Sequence, residues 1–396
     1  MIAVPLTDDL VLGAAELERV DRGVRPHRLP RPVRQRDADP QLAMMEAQPS
    51  GVRIAARTTA VQMVLEVHTT RMTYRGVMRD RGAVDVVVND SVLQSHVLSG
   101  GDTVEIDPAT GTSTVHPGTT ERITLTDLPA GEKTVEIWLP HNEQVDLVSL
   151  SADAVLHPAP SSGPRWLHHG SSISQGSNAA SPTRIWPVVA ARRAGIRLRN
   201  LGFGGSAFVD PFTARVVRDS PADVISVKLG INVVNLDAMR LRTFVPAVHG
   251  FLDTVRDGHP TTPLLLISPI HCAIHENTPG PGAIDPDSFA AGSVRFRATG
   301  TEGDIALGRL TLRVIRDALA RIVESRSDDP NLHHLDGLML FGEDDERRHP
   351  LPDNLHPDTD AHAVMGQRFA DIVFGPSGPF APRTTTADAP GEASRE

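Results

Sequence analysis

Cysteine, lysine and long apolar runs are nearly missing from this sequence. A single cysteine, Cys272, rules out an internal disulfide bond. Only Lys133 and Lys228 are lysines, and 39 basic against 49 acidic residues leave a formal charge of −10. Such a charge gives no electrostatic support for binding nucleic acid or an anionic membrane. No segment approaches the ~20 apolar residues that a membrane-spanning helix needs.

The start of the sequence also lacks targeting features. Residues Met1–Asp9 contain neither a basic cluster nor a long apolar run, so we expect no signal peptide and a cytoplasmic protein. Apolar residues make up 40% of the chain, which is ordinary for a globular protein. No motif for a metal or an organic cofactor is present, and we expect neither. The oligomeric state is left open.

The length of 396 residues suits two domains. Residues 1 to about 45 are expected to be mostly loop, with one or two strands at the start. From residue 51 short apolar runs alternate in period two, as in Val61–Val67 and Val84–Val88, and Gly, Asp, Pro and Thr separate the runs. This pattern predicts half-buried strands. We therefore predict a jelly-roll-like β-sandwich over residues 1–157.

The periodicity changes after a Pro/Ser-rich connector at 158–164. Strand-like and helical runs then alternate, with strands predicted at 165–169, 197–201, 223–229, 263–268 and 332–340, and helices near 182–194, 236–257, 303–326 and 359–374. Such alternation is typical of βαβ units and predicts a three-layer α/β/α domain with a parallel sheet over 165–375. Residues 376–396 are rich in Pro, Thr, Ala and acids, and we expect them to be disordered.

Four short motifs follow strands of this second domain or precede its last helix. They are Gly170-Ser171-Ser172-Ile173, Asn200 to Ala207, Gly230-Ile231-Asn232 and Asp353-Asn354-Leu355-His356-Pro357. In open parallel sheets, ligands gather outside the carboxyl ends of the strands. The four motifs are therefore expected to meet at one edge of the sheet.

Together the motifs can supply the parts of serine-dependent acyl transfer. That chemistry needs a hydroxyl, a base, a group that orients the base, and donors for the developing oxyanion. Ser172 would be the nucleophile, His356 the base and Asp353 the orienting carboxylate. The backbone N–H groups of Ser172 and Gly205, with the side-chain amide of Asn232, would form the oxyanion hole.

This combination resembles the SGNH hydrolases, also called the GDSL family of lipases and esterases. The Ser, Gly, Asn and His of that family match Ser172, Gly205, Asn232 and His356. The resemblance covers about residues 165–375. It implies a flavodoxin-like SGNH fold and an acyl-enzyme mechanism that requires no metal or organic cofactor.

The resemblance also implies the class of substrate. We expect an acyl ester or thioester as donor, with water, or a hydroxyl of a sugar or natural product, as acceptor. Hydrolase and O-acyltransferase activities both stay open. A β-sandwich ahead of such a domain is similar to the arrangement in some carbohydrate esterases and in two-domain acyltransferases that modify natural products.

Two positions depart from the family pattern. Ser171 stands where the family usually has an acid before the nucleophile, and Val233 stands where an acid usually follows the asparagine. Both acids resemble supports around the site, so their loss predicts altered hydrogen bonding and leaves the reaction in place. The departures put the substrate range in doubt.

Some residues have a plainer interpretation. His168 and His169 could line the site, but core histidines are the commoner case. His271 and His275 are four residues apart, yet the segment lacks a His-Glu-x-x-His pattern, so we expect no metal there. Cys272 is expected to be a small buried residue.

Three further questions stay open. The long connection at 269–300 is predicted to be a lid or poorly ordered. Phe203, Phe208 and Phe212 could form an acyl pocket or pack in the core. The competing function is a non-catalytic carbohydrate-binding protein, in which the β-sandwich binds glycans and the SGNH domain is degenerate.

Overall fold

The amino-terminal part of the chain folds into two packed β-sheets. A computed structural model describes residues 1–36, 39–77, 79–107, 110–160 and 162–381. The strands of this part are β1 (Ile2–Ala3), β2 (Val11–Leu12), β3 (Glu16–Val20), β4 (Gly23–His27), β5 (Arg53–Thr58), β6 (Met63–Tyr74), β7 (Ala83–Val88), β8 (Ser91–Val97), β9 (Asp102–Ile106), β10 (Ser113–His116), β11 (Glu121–Leu125), β12 (Lys133–Trp138), β13 (Gln144–Ala152) and β14 (Leu156–Pro158). Two helices, α1 (Arg31–Arg34) and α2 (Pro40–Glu46), lie between β4 and β5.

One sheet has the strand order β10-β9-β6-β13-β4-β3, with β1 beside β13 and β11 beside β6. The other has the order β14-β5-β12-β7-β8, with β2 beside β5. Neighbouring strands run antiparallel, except that β6 and β9 are parallel. The predicted β-sandwich is confirmed.

A row of apolar side chains explains why these sheets pack together. Ile137 of β12 lies between Ile54 of β5 and Val86 of β7, and all three are at most 1% exposed. They share one core cluster with Leu65 and Leu147 of the opposite sheet. Burial of each such side chain contributes ~1.5–3 kcal/mol, so the period-two pattern translates directly into stability.

The expectation that residues 1–45 are mostly loop is wrong. Strands β3 and β4 form a hairpin, in which Gly23 at φ 147° leaves room for the backbone of Leu147. Helix α2 begins at Pro40 because the Asp39 carboxylate accepts a hydrogen bond from the Leu42 N–H at 2.7 Å. The Arg-, Pro- and Asp-rich composition concealed both elements.

The second part of the chain contains a five-stranded parallel sheet. Its strands are β15 (Arg165–Gly170), β16 (Arg197–Gly202), β17 (Val224–Lys228), β18 (Leu264–Ile267) and β21 (Leu332–Leu335), in the order β16-β15-β17-β18-β21. This is the doubly wound order of flavodoxin-like folds, as predicted. A separate hairpin joins β19 (Gly282–Ile284) to β20 (Phe296–Ala298).

Helices cover this sheet. They are α3 (Ser172–Gln175), α4 (Trp186–Ala194), α5 (Pro211–Asp219), α6 (Ile231–Asn235), α7 (Leu241–Gly258), α8 (Ala273–Glu276), α9 (Pro286–Ala290), α10 (Leu312–Glu324), α11 (Glu343–Arg348) and α12 (Thr359–Phe369), with 3-10 turns at Pro182–Arg184, Glu302–Leu307 and Gly337–Met339 and a π-helical turn at Ala370–Phe374. No helix in the described ranges is long and apolar enough to cross a membrane.

The carboxyl-terminal helix is fixed by aromatic packing. The rings of Trp166 and Phe369 stack at 5.0 Å, and Trp186 lies 5.2 Å from Phe369. Gly366 permits the approach of α12 to α4, since a Cβ atom there would lie 2.6 Å from the Cβ of Val189. This packing anchors α12 against β15 and α4.

The prediction of disorder over 376–396 is wrong for residues 376–381. Phe380 is buried, its ring lies 5.8 Å from that of Phe374, and its N–H donates to the Val373 carbonyl at 2.9 Å. The one sequence feature that indicated this contact is the phenylalanine at position 380, an apolar residue in an otherwise polar segment. Residues 382–396 lie outside the described residues.

The two parts of the chain share buried contacts. Leu42 and Trp138 belong to the core cluster of the parallel sheet. Asp85 of β7, 1% exposed, accepts hydrogen bonds from the Ser181 hydroxyl at 2.6 Å and from the Thr183 N–H and hydroxyl at 3.0 and 2.6 Å. All three bonds end on Asp85 Oδ2, so one buried carboxylate oxygen of the first part binds three donors of the second part and helps to fix their relative position.

Arg28 is the most deeply buried of the cations that join the two parts. It is 0% exposed, and its guanidinium donates to the carbonyls of Gly202 at 2.5 Å, Asn200 at 3.3 Å and Met45. The same group lies 4.8 Å from the centroid of the Phe203 ring. Burial lowers the pKa of Arg28 to about 9, while Glu46 opposes the shift, so the side chain stays charged at neutral pH. Arg28 thus ties α2 to the end of β16.

Replacing Arg28 by methionine is expected to destabilise the protein. The Arg28→Met variant keeps roughly the volume of the side chain but removes the guanidinium donor from the carbonyls of Asn200, Gly202 and Met45, at a cost of ~3 kcal/mol. Chemical denaturation measures the free energy of unfolding. The control is Arg57→Met, because Arg57 is exposed and lies 3.6 Å from Glu132. Equal effects of the two substitutions would contradict the account of Arg28.

Candidate active site

The predicted nucleophile lies at the turn between β15 and α3. Ser171 caps α3, its hydroxyl accepting from the Ile173 N–H, and Ser172 is the first helical residue. Glycines allow the tight turn, since a Cβ atom at Gly170 would lie 2.3 Å from the Ser174 hydroxyl, and one at Gly202 would lie 2.4 Å from the Gln175 nitrogen. The glycines of this motif therefore indicated a tight turn at the nucleophile.

The structure brings His356 and Asp353 to this serine. His356 Nε2 lies 2.9 Å from Ser172 Oγ, and His356 Nδ1 lies 2.7 Å from Asp353 Oδ2. The three residues come from opposite ends of the domain. Their arrangement matches a nucleophile, a base and an orienting carboxylate in hydrogen-bonded order.

Asp353 is held as a carboxylate by its surroundings. Its Oδ1 accepts from the N–H groups of Leu355 at 3.0 Å and His356 at 2.7 Å, and its Oδ2 accepts from the Asn178 side chain at 3.2 Å. Burial raises its pKa, but the charge of His356 and the hydrogen bonds from His356 and from the Leu355 N–H outweigh burial and lower the pKa to about 2. The carboxylate is therefore ionised at neutral pH and oriented toward His356 Nδ1.

The predicted oxyanion-hole residues lie beside the serine. Gly205 follows β16 at φ 70°, a conformation that favours glycine. Asn232 is the second residue of α6, and its Oδ1 accepts from the Ala207 N–H at 3.0 Å, which leaves its NH₂ group for the cavity. Within the described ranges, the N–H groups of Ser172 and Gly205 donate to no protein acceptor. The role of these donors stays a prediction.

A cavity of about 500 Å³ lies over the site, and both parts of the chain form its walls. The second part contributes Ser172, Gly205, Asn232 and His356. The amino-terminal part contributes residues that our sequence reasoning missed: Gln41, Met44, Met45, Gln48, Met72, Thr73, Tyr74, Arg79, Ile106, His141 and Asn142. Only the Asp39-Pro40 helix start hinted at the α2 members of this wall.

Helix α2 is fixed to the turn that carries Gly205. The Gln41 side-chain amide donates to the Gly204 carbonyl at 3.0 Å, and the Gly204 N–H donates to Gln175 Oε1 at 2.8 Å. Gln175 in turn bonds the Gln48 side chain. These contacts link the amino-terminal wall of the cavity to the predicted oxyanion hole.

The long connection at 269–300, predicted as a lid or poorly ordered, contains α8, α9 and the β19–β20 hairpin. The Phe296 N–H donates to the Asp353 carbonyl at 2.8 Å, and the Asn354 side chain donates to the Phe296 carbonyl at 3.1 Å. The Phe296 ring meets the His356 ring edge-on at 5.7 Å. The hairpin therefore forms a wall that is bonded to the loop of the predicted base.

His168 and His169 do not line the cavity. His168 is buried between the hydroxyls of Ser226 at 2.7 Å and Ser174 at 2.8 Å, and His169 Nδ1 donates to the Leu201 carbonyl at 2.8 Å. Burial lowers the pKa of both imidazoles. They are neutral core residues.

The remaining candidates have separate partners. His271 Nδ1 bonds Glu346 at 2.6 Å, whereas His275 Nε2 bonds Asn235 at 3.2 Å. In the part of the chain that the structure describes, no three His, Cys, Asp or Glu side chains cluster as metal ligands would. Burial raises the pKa of the Cys272 thiol, which makes it a poor nucleophile. Neither Phe203, Phe208 nor Phe212 lines the cavity.

Comparisons with known proteins agree with this architecture. Residues 165–277 match the model of the GDSL-like lipase/acylhydrolase family, which confirms the predicted resemblance. A comparison with curated protein sequences found no match.

Several solved structures are similar to this chain over both of its parts. A salicylyl-acyltransferase from a tetracycline biosynthetic pathway is 26% identical, with a TM-score of 0.75 over 93% of this chain and 95% of that one. A GDSL-like protein from Bacteroides ovatus is 19% identical, with a TM-score of 0.63 over 91% and 93%. A family two carbohydrate esterase from Cellvibrio japonicus is 13% identical, with a TM-score of 0.54 over 93% and 95%. The latter two show the fold alone.

The depressed pKa of Asp353 predicts a pH-dependent contribution to stability. A group whose pKa is lower in the folded state than its ordinary 3.8 stabilises the fold above about pH 4, and that stabilisation is lost as the pH falls toward about 2. In Asp353→Asn the amide cannot ionise. The variant should be less stable than wild type by about 2 kcal/mol above pH 4, and the difference should shrink toward pH 2.

Urea unfolding at a series of pH values measures this difference. A stability gap that stays constant between pH 2 and 6 would contradict the assignment of the lowered pKa to Asp353.

Proposed function

We propose that this chain, which carries a GDSL-like lipase/acylhydrolase domain, transfers acyl groups through Ser172. The observation that supports this most strongly is the continuous line of hydrogen bonds from Ser172 Oγ through His356 to Asp353, at 2.9 and 2.7 Å. A serine hydroxyl is a weak nucleophile alone, and an adjacent oriented base activates it.

The first half of the reaction forms an acyl-enzyme. His356 Nε2 takes the proton from Ser172 Oγ as that oxygen bonds to the carbonyl carbon of the substrate. The negative charge passes to the carbonyl oxygen, which the N–H groups of Ser172 and Gly205 and the Asn232 amide would stabilise. The bond to the leaving alcohol or thiol then breaks, and the proton on His356 Nε2 goes to the leaving group.

The second half repeats these steps with a new nucleophile. Water or an acceptor hydroxyl gives its proton to His356 and attacks the acyl carbon, and Ser172 Oγ leaves and recovers that proton. Asp353 stays ionised throughout and stabilises the imidazolium in each half.

The residues that line the cavity support transfer of the acyl group to a hydroxyl acceptor. The wall that the amino-terminal part contributes includes the apolar side chains of Met44, Met45 and Ile106 beside polar ones, and this apolar surface favours an organic acceptor over water. The similarity to a salicylyl-acyltransferase over both parts of the chain also favours transfer to a hydroxyl over hydrolysis. We therefore propose an O-acyltransferase that also hydrolyses esters when no acceptor is bound.

The competing function, carbohydrate binding without catalysis, has less support. The likeness to carbohydrate esterases is a likeness of fold, at 13% identity. Sugar sites commonly use aromatic platforms, and among the described residues that line the cavity only Tyr74 and Phe296 are Phe, Tyr or Trp. A degenerate domain would have no need for the hydrogen-bonded order of Ser172, His356 and Asp353.

Turnover of a 4-nitrophenyl ester tests the proposal. Ser172→Ala and His356→Ala should each lower kcat by ~10⁴-fold or more, because each removes one member of a unit that acts together. Alcohols and sugars added to the wild type should divert product from free acid to ester. Turnover that survives in Ser172→Ala would contradict the proposal.

Loss of the Asn232 amide should slow the chemical step. Asn232→Ala removes one oxyanion donor, which typically lowers kcat by ~10²–10³-fold with little effect on KM. The control is Asn235→Ala, because Asn235 lies in the same helix and lines the same cavity. A similar loss in both variants would show that the helix, and not the Asn232 donor, was affected.

A further inference from the structure

The walls of the cavity differ sharply in charge from the rest of the chain. The sequence carries a net charge of −10, with 49 acidic residues. Yet none of the described residues that line the cavity is an aspartate, a glutamate or a lysine. Arg79 is the one arginine among them, and a guanidinium group is a cation.

Arg79 lines the cavity and is itself exposed to solvent. Its guanidinium carbon lies 5.7 Å from the centroid of the Tyr74 ring. Among the described residues it forms no ion pair, unlike Arg75, which lies four positions earlier and pairs with Glu105 at 3.1 Å and Asp107 at 2.7 Å. An arginine that has no carboxylate partner among the described residues, at a cavity whose described lining contains no acid, can bind an anionic group of a ligand.

The surroundings of Arg79 define the rest of the ligand. Tyr74 pairs with Ile106 across β6 and β9, and Met72 and Met44 belong to the same wall. Methionines are flexible and polarisable, so this wall accepts an aliphatic or aromatic body of variable shape. Ser172 and its oxyanion donors lie on the other wall, which belongs to the second part of the chain.

We propose that the substrate is an ester or thioester with an apolar body and a second, anionic group, carboxylate or phosphate, that binds Arg79. The ester reaches Ser172 while the anion stays on the amino-terminal wall. This inference rests on the proposed function, because it names the substrate class of the same site. It gives the β-sandwich a direct part in substrate selection.

Matched pairs of probes test the inference and separate the two anions. Mono-4-nitrophenyl glutarate against its methyl ester places a carboxylate on the acyl side. Butyryl-coenzyme A against S-butyryl-N-acetylcysteamine places phosphates on the leaving group. In the wild type, kcat/KM should be roughly tenfold higher for the charged member of one pair, as expected for a charge-assisted contact.

Arg79→Gln should remove that preference through KM and leave the neutral probes within about twofold of wild type. Arg75→Gln is the matched control and should retain the preference. Added salt should weaken the preference of the wild type, since the contact is solvent-accessible. Equal kcat/KM for charged and neutral probes in the wild type, or an equal loss on both in Arg79→Gln, would overturn the inference.

Binding to Ser172→Ala separates this inference from the proposed function. Calorimetry with the charged and neutral glutarate esters measures affinity in a protein that cannot form the acyl-enzyme. Arg79-dependent preference for the charged ester supports the anion site even if no probe is turned over, an outcome that would sink only the proposed function. Ser172-dependent turnover without any Arg79-dependent preference, in turnover or in binding, overturns only the anion site.

Discussion

The hydrogen bond between Ser172 Oγ and His356 Nε2, at 2.9 Å, joins residues that are 184 positions apart in the chain. One lies at the end of β15, and the other lies in the loop before α12. Ser172 follows β15 and His356 follows β21, and β17 and β18 lie between these two strands in the sheet, so the pairing of these four strands brings the two residues together. The aromatic packing of Trp166 and Phe369 serves that end, because it holds α12 against the start of the domain.

The amino-terminal β-sandwich also helps to form the candidate site. Buried polar contacts through Asp85 and Arg28 fix it to the parallel sheet, and helix α2 then lies against the turn that carries Gly205. The cavity therefore has walls from both parts of the chain. The wall of the second part holds the proposed nucleophile, base and oxyanion donors, and the wall of the amino-terminal part holds methionines, Tyr74 and Arg79, to which we assign substrate recognition. Such a division lets one chemistry serve different substrates.

Local patterns in the sequence predict much of this structure. The apolar periodicities predict both sheets, since side-chain alternation and βαβ spacing depend on near neighbours in the chain. The grouping of Ser172, Gly205, Asn232 and His356 is also predictable, because each sits at a glycine- or proline-marked turn after a strand or before a helix. The acid three residues before His356 reaches its Nδ1 through a local turn, which sequence spacing alone indicates.

What the sequence does not predict depends on contacts between distant segments. The stretch with Arg28 and Pro40 reads as polar loop, and only the folded chain shows that Arg28 is buried against Phe203 and that α2 lines the cavity. The same holds for Phe296, whose position beside His356 follows from the pairing of β19 with β20. Phe203, a candidate for the acyl pocket by composition, instead packs beneath Arg28.

The central claim is that Ser172 carries the acyl group. The most direct measurement is intact mass after rapid quenching of the protein mixed with an activated short acyl ester, followed by peptide mapping. The account predicts one acyl group on Ser172 in the wild type and in Ser171→Ala, and none in Ser172→Ala. An adduct that maps to another residue, or that persists in Ser172→Ala, would contradict it.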